Sequence, residues 1–215
     1  MKKMNIIYED KTLLVVNKPA KKLTIATPKK ELNTLYHEAR EYVKKQNPSN
    51  KIFIVHRLDK DTSGIVVFAK DEKAKNYLQD NWNSYYREYI AIVEGIVKKS
   101  GTLKSYLAES KTLNVYSTKS KNGKLAITNY EVLDNNKKYS LLKINILTGR
   151  KNQIRVQLSD INHPIVGDKK YKSKTNPLNR MGLHANKLII KHPITKKELV
   201  LEAKVPKVFL NMFEI

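Results

Sequence analysis

A polar segment, His56-Arg57-Leu58-Asp59-Lys60-Asp61-Thr62-Ser63-Gly64, lies between two apolar runs. The runs at 52–55 and 65–69 flank it, and both have the length and the β-branched composition of buried strands. The sequence therefore predicts a charged loop between two strands. Functional side chains are often displayed on a loop that rigid strands support. The alternative interpretation is a turn whose Asp and Ser only cap backbone groups.

The residues around this loop predict helices as well as strands. A short buried strand is expected at 13–16, where Lys18-Pro19 stops it. Apolar residues then recur at helical spacing and end before Pro48; they are Leu32, Leu35, Tyr36, Ala39 and Val43. Asp71 is expected to cap a second helix that carries Ala74 and Leu78. The first third of the chain thus alternates between the two element types.

From Tyr85 onward the pattern changes to strands, with candidates at 89–94, 103–108, 113–117 and 139–147. Asn122-Gly123 predicts a hairpin turn, and Asp134-Asn135-Asn136 predicts a second turn. Ile154 and Leu158 mark a short helix, strands at 188–190 and 199–203 flank His192-Pro193, and a last helix follows Pro206. Many strands with a few helices predict an α+β fold with a mixed, mostly antiparallel sheet and flanking helices.

The composition indicates a nucleic-acid ligand. Of 215 residues, 42 are Lys or Arg and 20 are Asp or Glu, so the formal charge is 42 − 20 = +22. Each cation that neutralises a phosphate releases a counterion, which favours binding to nucleic acid. A compositional bias toward lysine is the alternative explanation. The absence of cysteine excludes disulfides, thiolate nucleophiles and cysteine-ligated metals, and no apolar run approaches the length of a membrane span.

A second polar segment, 148–155, reads Thr-Gly-Arg-Lys-Asn-Gln-Ile-Arg and joins a strand to a helix. Three cations lie close to the start of that helix, where backbone N–H groups attract anions. Phosphate contact is therefore one interpretation of this segment. In the other, Arg155 faces solvent as an ordinary surface residue.

These segments together resemble the RluA-type RNA pseudouridine synthases. The segment 56–64 is similar to the family signature His-Arg-Leu-Asp-x-x-Thr-Ser-Gly, and 148–158 is similar to Thr-Gly-Arg-x-His-Gln-Ile-Arg-x-His-Leu. Further ordered matches are Lys18-Pro19-Ala20, the strand 87–95, His163 to Asp168, and Leu183-His184-Ala185. Asn152 and Gln157 depart from the pattern, because the family usually has histidine at both positions.

The resemblance implies a pseudouridine synthase fold with a central catalytic cleft near the 56–64 loop. It implies that residues 1–215 form a single catalytic domain without an N-terminal accessory RNA-binding module. Asp59 is then the catalytic aspartate, and Arg155 is its guanidinium partner, which opposes the rise in pKa that burial imposes on a carboxyl group. Tyr89 is the active-site tyrosine, and stacking suits it better than proton abstraction because a phenol ordinarily titrates near pH 10.

The same resemblance implies the substrate contacts. Arg57 would fill the space left by a flipped base, His56 would order the loop, and Arg150 and Ile154 would complete the substrate-binding set. The implied substrate is a stem-loop of rRNA, tRNA or both. The reaction needs no cofactor and no metal, and we expect a monomer that acts in the cytoplasm without contact to membranes.

Two other functions remain open at this point. Asp59-Lys60-Asp61 superficially resembles the start of a haloacid-dehalogenase-like phosphotransferase, in which Asp attacks phosphorus beside Mg²⁺. That enzyme class needs a parallel sheet built from repeating βα units. A non-enzymatic RNA-binding protein is the second alternative, since the charge of +22 would serve it equally well. A carboxylate between Arg57 and Lys60 weakens RNA binding, and so favours chemistry over binding alone.

Overall fold

The computed structural model describes residues 4–26, 33–120 and 122–213. Its strands in chain order are β1 (Ile6–Glu9), β2 (Leu13–Lys18), β3 (Phe53–Ile54), β4 (Ser63–Ala69), β5 (Tyr86–Glu94), β6 (Gly101–Glu109), β7 (Val115–Thr118), β8 (Lys124–Asn135), β9 (Tyr139–Ile146), β10 (Leu183–Lys191) and β11 (Glu198–Glu202). Its α-helices are α1 (Leu35–Gln46), α2 (Glu72–Asp80), α3 (Gln153–Asp160) and α4 (Lys207–Leu210), and short 3₁₀ turns cover Trp82–Ser84 and Lys169–Tyr171. None of the described helices is long and apolar enough to cross a membrane.

The chain divides into two compact units. The first comprises Met1–Tyr85 and Ala185–Ala203, and the second comprises Tyr86–His184 and Lys204–Ile215. The expected α+β fold with a mixed, mostly antiparallel sheet is confirmed. The antiparallel pairing of most strands also removes the basis for the phosphotransferase interpretation, which required a parallel βα repeat.

In the first unit, β2 lies between β1 and β4 and pairs antiparallel with both strands. β3 also pairs with β4, and β10 pairs with β11. All seven residues of β4 are buried, as expected for a strand covered on both faces. Leu13, Val67, Leu78 and Leu188 belong to its core cluster, so one face of α2 packs on this sheet. The 56–64 loop therefore starts and ends on strands of a packed core.

The helices of this unit begin where side chains satisfy their first N–H groups. The Thr34 side chain accepts a hydrogen bond from the backbone of His37 at the start of α1, and Asp71 accepts one from Ala74 at the start of α2. The predicted cap at Asp71 is thus confirmed. Leu32, which the helical pattern included, lies outside the described residues.

In the second unit, five strands follow the order β5-β9-β8-β6-β7, and each pair of neighbours is antiparallel. The inward residues of β5 and β9, among them Ala91 and Ile144, form a core with Ile154 and Leu158 of α3. The predicted apolar face of α3 is confirmed, and so is the turn at Asp134-Asn135-Asn136, which leads from β8 into β9. The 148–155 segment follows β9 and leads into α3, and its Ile154 is part of this core.

The prediction of a hairpin at Asn122-Gly123 was wrong. The strands on either side of this turn are β7 and β8, and both pair with β6 rather than with each other. The turn therefore carries the chain from one edge of β6 to the other. Turn residues indicate that the chain reverses, but the choice of partner strand depends on which edges are available in the assembled sheet. The apolar run at 52–55 also forms a shorter strand than expected, since β3 contains only Phe53 and Ile54.

A hydrogen bond between His192 and the half-buried Asp10 carboxylate joins the β1–β2 turn to the β10–β11 hairpin of the same unit. Asp10 accepts hydrogen bonds from the backbone of Thr12 and Leu13 at 2.7 Å, from the Tyr8 hydroxyl at 2.8 Å and from His192 Nε2 at 2.7 Å. The other nitrogen of the His192 ring accepts two backbone hydrogen bonds from the following turn, so Nε2 is the nitrogen that donates. Burial alone raises the pKa of Asp10, but these hydrogen bonds outweigh burial and hold it below its ordinary value.

Asp10→Asn is expected to lower the free energy of unfolding at pH 7 by about 1–3 kcal/mol, because it leaves hydrogen-bond partners of a half-buried carboxylate unsatisfied. A lowered pKa in the folded state stabilises the fold above the unfolded-state pKa, and that stabilisation is lost as the pH falls through the folded-state pKa. As the pH falls below about 4, the free energy of unfolding of Asp10→Asn should therefore decrease less than that of the wild type. Urea unfolding between pH 2.5 and 7 measures both effects, with Glu198→Gln on the same hairpin as the control; equal acid sensitivity of Asp10→Asn and wild type would contradict the assignment.

Candidate active site

The loop that carries Asp59 is held on its N-terminal side by a threonine. The Thr24 hydroxyl donates to the carbonyl oxygen of Leu58 at 2.9 Å and accepts from the backbone N–H of Leu58 at 3.2 Å. The loop then turns, because Thr62 N–H donates to the carbonyl oxygen of Asp59 at 3.2 Å. These hydrogen bonds fix the backbone of Leu58 and Asp59. Asp59 itself is half-buried.

Lys18 holds the same loop on its C-terminal side. This lysine has no exposed surface, and its ammonium group donates to the carbonyl oxygens of Pro19 (3.1 Å), Lys22 (2.7 Å) and Lys60 (3.0 Å). A buried ammonium is tolerated only when its donors find acceptors, and three carbonyl groups supply them here. The residue that follows Asp59 is thereby tied to the end of β2. Sequence reasoning placed Lys18 in a family motif but did not assign it this function.

Gly64 allows the loop to enter β4. Its φ of +116° lies in a region that side chains avoid, and a Cβ atom at this position would lie 2.1 Å from the carbonyl oxygen of Ala185. No larger residue fits between β4 and β10 without moving the backbone. The glycine at the end of the signature is therefore required by packing within the first unit.

His56 and Arg57 occupy different environments on this loop. The His56 ring stacks on Trp82 with centroids 4.2 Å apart, and its Nε2 accepts a hydrogen bond from the backbone of Val67 at 3.1 Å. An accepting nitrogen carries no proton, so Nε2 is not the donor in this arrangement. Arg57 is exposed. The packing of His56 supports a role in ordering the loop, and the substrate contacts of both residues remain predictions.

The second unit contains the other predicted residues. Tyr89 lies in β5 opposite Ile144 of β9 and is half-buried against the core of that unit. Arg87, two residues earlier, is buried; burial lowers the pKa of its guanidinium, and the electrostatic interaction with Tyr89 partly opposes this effect. Arg150 is exposed and its Nε donates to the carbonyl oxygen of Leu125 at 2.9 Å. Ile154 is 5% exposed and contributes to the core.

A glutamine holds the 148–153 turn in place. Gln153 Oε1 accepts from the Thr148 hydroxyl at 2.7 Å and from the backbone of Arg150 at 3.0 Å. Its amide nitrogen donates to the Ile127 carbonyl at 3.0 Å and to the Thr128 hydroxyl at 2.8 Å. The buried side chain thus uses both ends of its amide to tie the start of α3 to β8. Arg155 lies in the first turn of α3, directly after this segment.

Arg155 is buried, which excludes the interpretation of a solvent-facing residue. Its Nε donates to Asp168 Oδ2 at 2.7 Å and its Nη2 donates to Asp168 Oδ1 at 2.8 Å. The Tyr171 ring lies beside the guanidinium, with 4.8 Å from Cζ to the ring centroid. Sequence reasoning missed both partners. The only signal for Asp168 was its place at the end of the motif that begins at His163.

The structure therefore gathers the predicted residues into two sets. His56, Arg57 and Asp59 share one loop of the first unit, while Tyr89, Arg150, Ile154 and Arg155 lie in the second unit. In each set, buried polar side chains with several hydrogen bonds hold the backbone. The arrangement supplies a carboxylate on a fixed loop and a guanidinium with a fixed orientation. Among the described residues, no group of three His, Asp or Glu side chains is placed to hold a metal ion.

Comparison with known proteins agrees with these features. The RNA pseudouridylate synthase family matches residues 12–160. The chain is 36% identical to the uncharacterized RNA pseudouridine synthase YhcT of Bacillus subtilis, covering 97% of this chain and 71% of that protein. It is 33% identical to the ribosomal large subunit pseudouridine synthase D of Haemophilus influenzae, covering 97% and 69%. Among solved structures, the human RNA pseudouridylate synthase domain containing 4 superposes with a TM-score of 0.80 at 25% identity, covering 96% of this chain and 90% of that one.

The fold and the matched segments define an isomerase that acts on RNA, of the pseudouridine synthase class. Within this class, the chain belongs to the RNA pseudouridylate synthase family and is of the RluA type. The resemblance stated from the motifs is thereby confirmed. The match includes Asp59, Tyr89 and Arg155, all of which lie between residues 12 and 160.

Lys18→Met is expected to lower the free energy of unfolding by about 2 kcal/mol, because methionine fills the space but leaves three carbonyl groups without the donor that they share. Chemical denaturation measures the loss, and Lys11→Met on the exposed turn before β2 serves as the control for removal of a positive charge. Wild-type stability of Lys18→Met would show that the ammonium does not hold the loop.

Proposed function

We propose that this pseudouridine synthase isomerises uridine in structured rRNA or tRNA, with Asp59 as its catalytic residue and without a cofactor. The observation that carries the proposal is the family match across residues 12–160, which includes the signature loop around Asp59. The hydrogen bonds of Thr24 and Lys18 on either side of Asp59 support it, since a catalytic carboxylate has to be held in place. A relative whose name specifies the ribosomal large subunit supports an rRNA substrate.

The bond changes in this reaction explain why a catalytic carboxylate can act without a cofactor. The bond between the ribose carbon and a uracil nitrogen breaks, the uracil turns within the site, and the same ribose carbon forms a bond to a uracil carbon. That carbon loses its proton, and the nitrogen released from the sugar gains one, so atoms and electrons balance without an oxidant or a reductant. The same balance holds if Asp59 adds to the base, adds to the sugar or assists elimination.

Arg155 and Tyr89 complete the proposed catalytic set. We assign Arg155 the role of stabilising the Asp59 carboxylate, because a planar guanidinium matches carboxylate geometry with two parallel hydrogen bonds. Tyr89 is assigned to stacking on the uracil. Arg57, His56, Arg150 and Ile154 are proposed as the residues that bind and order the substrate around these groups. The protein is proposed to act as a monomer in the cytoplasm.

A dense group of lysines in the second unit supports RNA as the ligand. Lys169, Lys170, Lys172 and Lys174 are exposed on the segment 168–175. This segment is held by Glu94, whose Oε1 accepts four hydrogen bonds from residues 173–175 at 2.7–2.8 Å. Burial raises the pKa of Glu94, but these hydrogen bonds outweigh it and keep the pKa below its ordinary value. We call this segment the lysine loop and propose that it binds the RNA backbone.

Asp59→Asn is expected to abolish turnover and to leave RNA affinity nearly unchanged, because the amide keeps the shape of the side chain but supplies no carboxylate. Unmodified tRNA and large-subunit rRNA are incubated with each protein without added cofactor, and nucleoside mass spectrometry with site mapping detects pseudouridine. Asp61→Asn removes the same charge from an exposed position of the same loop and should retain turnover. Normal RNA binding by the wild type without product on either RNA would favour the non-enzymatic alternative.

Replacement of Lys169, Lys172 and Lys174 by Gln should weaken RNA binding and make it less dependent on salt. Each lost phosphate contact reduces the magnitude of the slope of log affinity against log salt by about 0.7–0.9, so the loss of three contacts reduces it by about 2–3. Filter binding between 50 and 300 mM KCl measures the slope. Exposed lysines of the first unit provide a control with the same change in charge: Lys73, Lys191 and Lys197. Equal slopes for the two triple variants would exclude a specific role of the lysine loop.

A further inference from the structure

The two halves of the lysine loop are anchored in different ways. The first half contains Tyr171, whose ring is buried in a core cluster of the second unit with Val156. The second half, residues 172–175, includes no buried residue. At its end, the carbonyl oxygen of Thr175 accepts from the backbone N–H of Gly167 at 2.8 Å, which closes the loop. The position of the second half therefore depends on hydrogen bonds rather than on apolar packing.

Glu94 supplies most of these hydrogen bonds. Its Oε1 accepts from the Ser173 hydroxyl at 2.8 Å, from the backbone of Lys174 at 2.8 Å, and from the backbone and hydroxyl of Thr175 at 2.7 and 2.8 Å. An ionised carboxylate is an acceptor only, and its hydrogen bonds are stronger than those between neutral groups. One side chain of β5 thus holds three consecutive residues of the loop.

The backbone of Glu94 is itself fixed. The residue lies at the end of β5, opposite Tyr139 of β9. Its N–H donates to the carbonyl oxygen of Pro164 at 2.9 Å, and its carbonyl oxygen accepts from His163 Nδ1 at 2.8 Å. The carboxylate therefore projects from a strand end that is held on two sides. Such an acceptor can determine where the loop lies, whereas a carboxylate on a mobile segment would follow the loop.

Two lysines lie next to the residues that Glu94 holds. Lys172 and Lys174 are exposed on either side of Ser173. The φ of Lys172 is +69°, a left-handed conformation that costs free energy for a residue other than glycine and persists only where the surrounding structure imposes it. The hydrogen bonds of Glu94 to residues 173–175 impose it here. Cations that are ordered in advance bind without the full entropy cost of being ordered by the ligand.

We propose that Glu94 is a positioning residue for RNA recognition and acts by holding Lys172 and Lys174 in the arrangement that contacts phosphates. The inference rests on the proposed function, in which the lysine loop binds the RNA backbone. The competing explanation is that Glu94 only adds a negative charge near a polyanion, so that its removal would strengthen RNA binding. The two explanations therefore predict changes in RNA affinity of opposite sign.

The test compares two replacements of Glu94 by filter binding of unmodified tRNA and large-subunit rRNA. Glu94→Met removes both the charge and the acceptor, whereas Glu94→Gln removes the charge but keeps an oxygen that can accept. Glu94→Met is expected to weaken binding about 5-fold and to reduce the magnitude of the salt slope by about 1–2, as for the loss of two phosphate contacts. Glu94→Gln should bind more tightly than Glu94→Met. Glu131→Met removes an exposed carboxylate of β8 in the same unit, and as the charge control it should not weaken binding.

A double-mutant cycle tests whether the effect of Glu94 requires the two lysines. In the background Lys172→Gln/Lys174→Gln, Glu94→Met should cause little further weakening, because the side chains that it holds no longer carry a charge. Ser173→Ala/Thr175→Val removes two of the four hydrogen bonds to Glu94 without a change in net charge. This variant should also weaken binding, and it replaces Glu94→Met in the cycle if Glu94→Met does not fold.

Tighter binding by folded Glu94→Met, or an equal loss in both lysine backgrounds, would overturn the positioning role while leaving the proposed function intact. If the wild type binds neither RNA, or if removal of Lys172 and Lys174 changes neither affinity nor slope, the proposed function of the lysine loop fails and the positioning role fails with it. Weaker binding that is confined to the background with both lysines supports the inference.

Discussion

The completely buried ammonium group of Lys18 is the constraint on which the candidate catalytic loop depends. A charged group without solvent is stable only if its donors are satisfied, and the three carbonyl oxygens of Pro19, Lys22 and Lys60 meet this requirement. The segment after β2 and the loop after β3 must therefore converge on one point. Asp59 immediately precedes Lys60 in the chain. The hydrogen bond from the Lys18 ammonium to the Lys60 carbonyl oxygen therefore also restricts the backbone that carries the Asp59 carboxylate.

The second unit also contains a buried cation, whose charge is balanced by a carboxylate. Arg155 is buried beside Asp168, and Gln153 and Gln157 use both ends of their amides to join α3 to the neighbouring strands. Buried polar networks are costly when incomplete and confer a single geometry when every member is satisfied. In each unit, a side chain with a predicted chemical role is attached to a backbone segment that such a network holds in place. Rigid support of this kind favours a reaction in which a base must be detached, turned and reattached without leaving the site.

The charge of +22 has a different physical role from these buried groups. Exposed lysines such as those of the lysine loop contribute little to folding, because exposed charges remain solvated. They attract a polyanion over a distance of about a Debye length, which is about 8 Å at physiological salt. The buried cations Lys18 and Arg155 act at hydrogen-bond distance instead. Burial thus separates the cations proposed to recognise RNA from the cations that hold the backbone through hydrogen bonds.

The family, the α+β class, most strands and helices, and the segments that carry Asp59, Tyr89 and Arg155 could all be predicted from the sequence. These features depend on local patterns: the period of the apolar residues, the cap at Asp71 and motif residues adjacent in the chain. Three features instead depend on how the chain packs. β7 and β8 both pair with β6, the Lys18 ammonium donates to the carbonyl oxygen of Lys60, and Arg155 pairs with Asp168. Strand partners and acceptors for a buried charge are chosen among groups distant in sequence. That choice depends on which edges and oxygens remain available once the core has packed, and no local pattern contains this information.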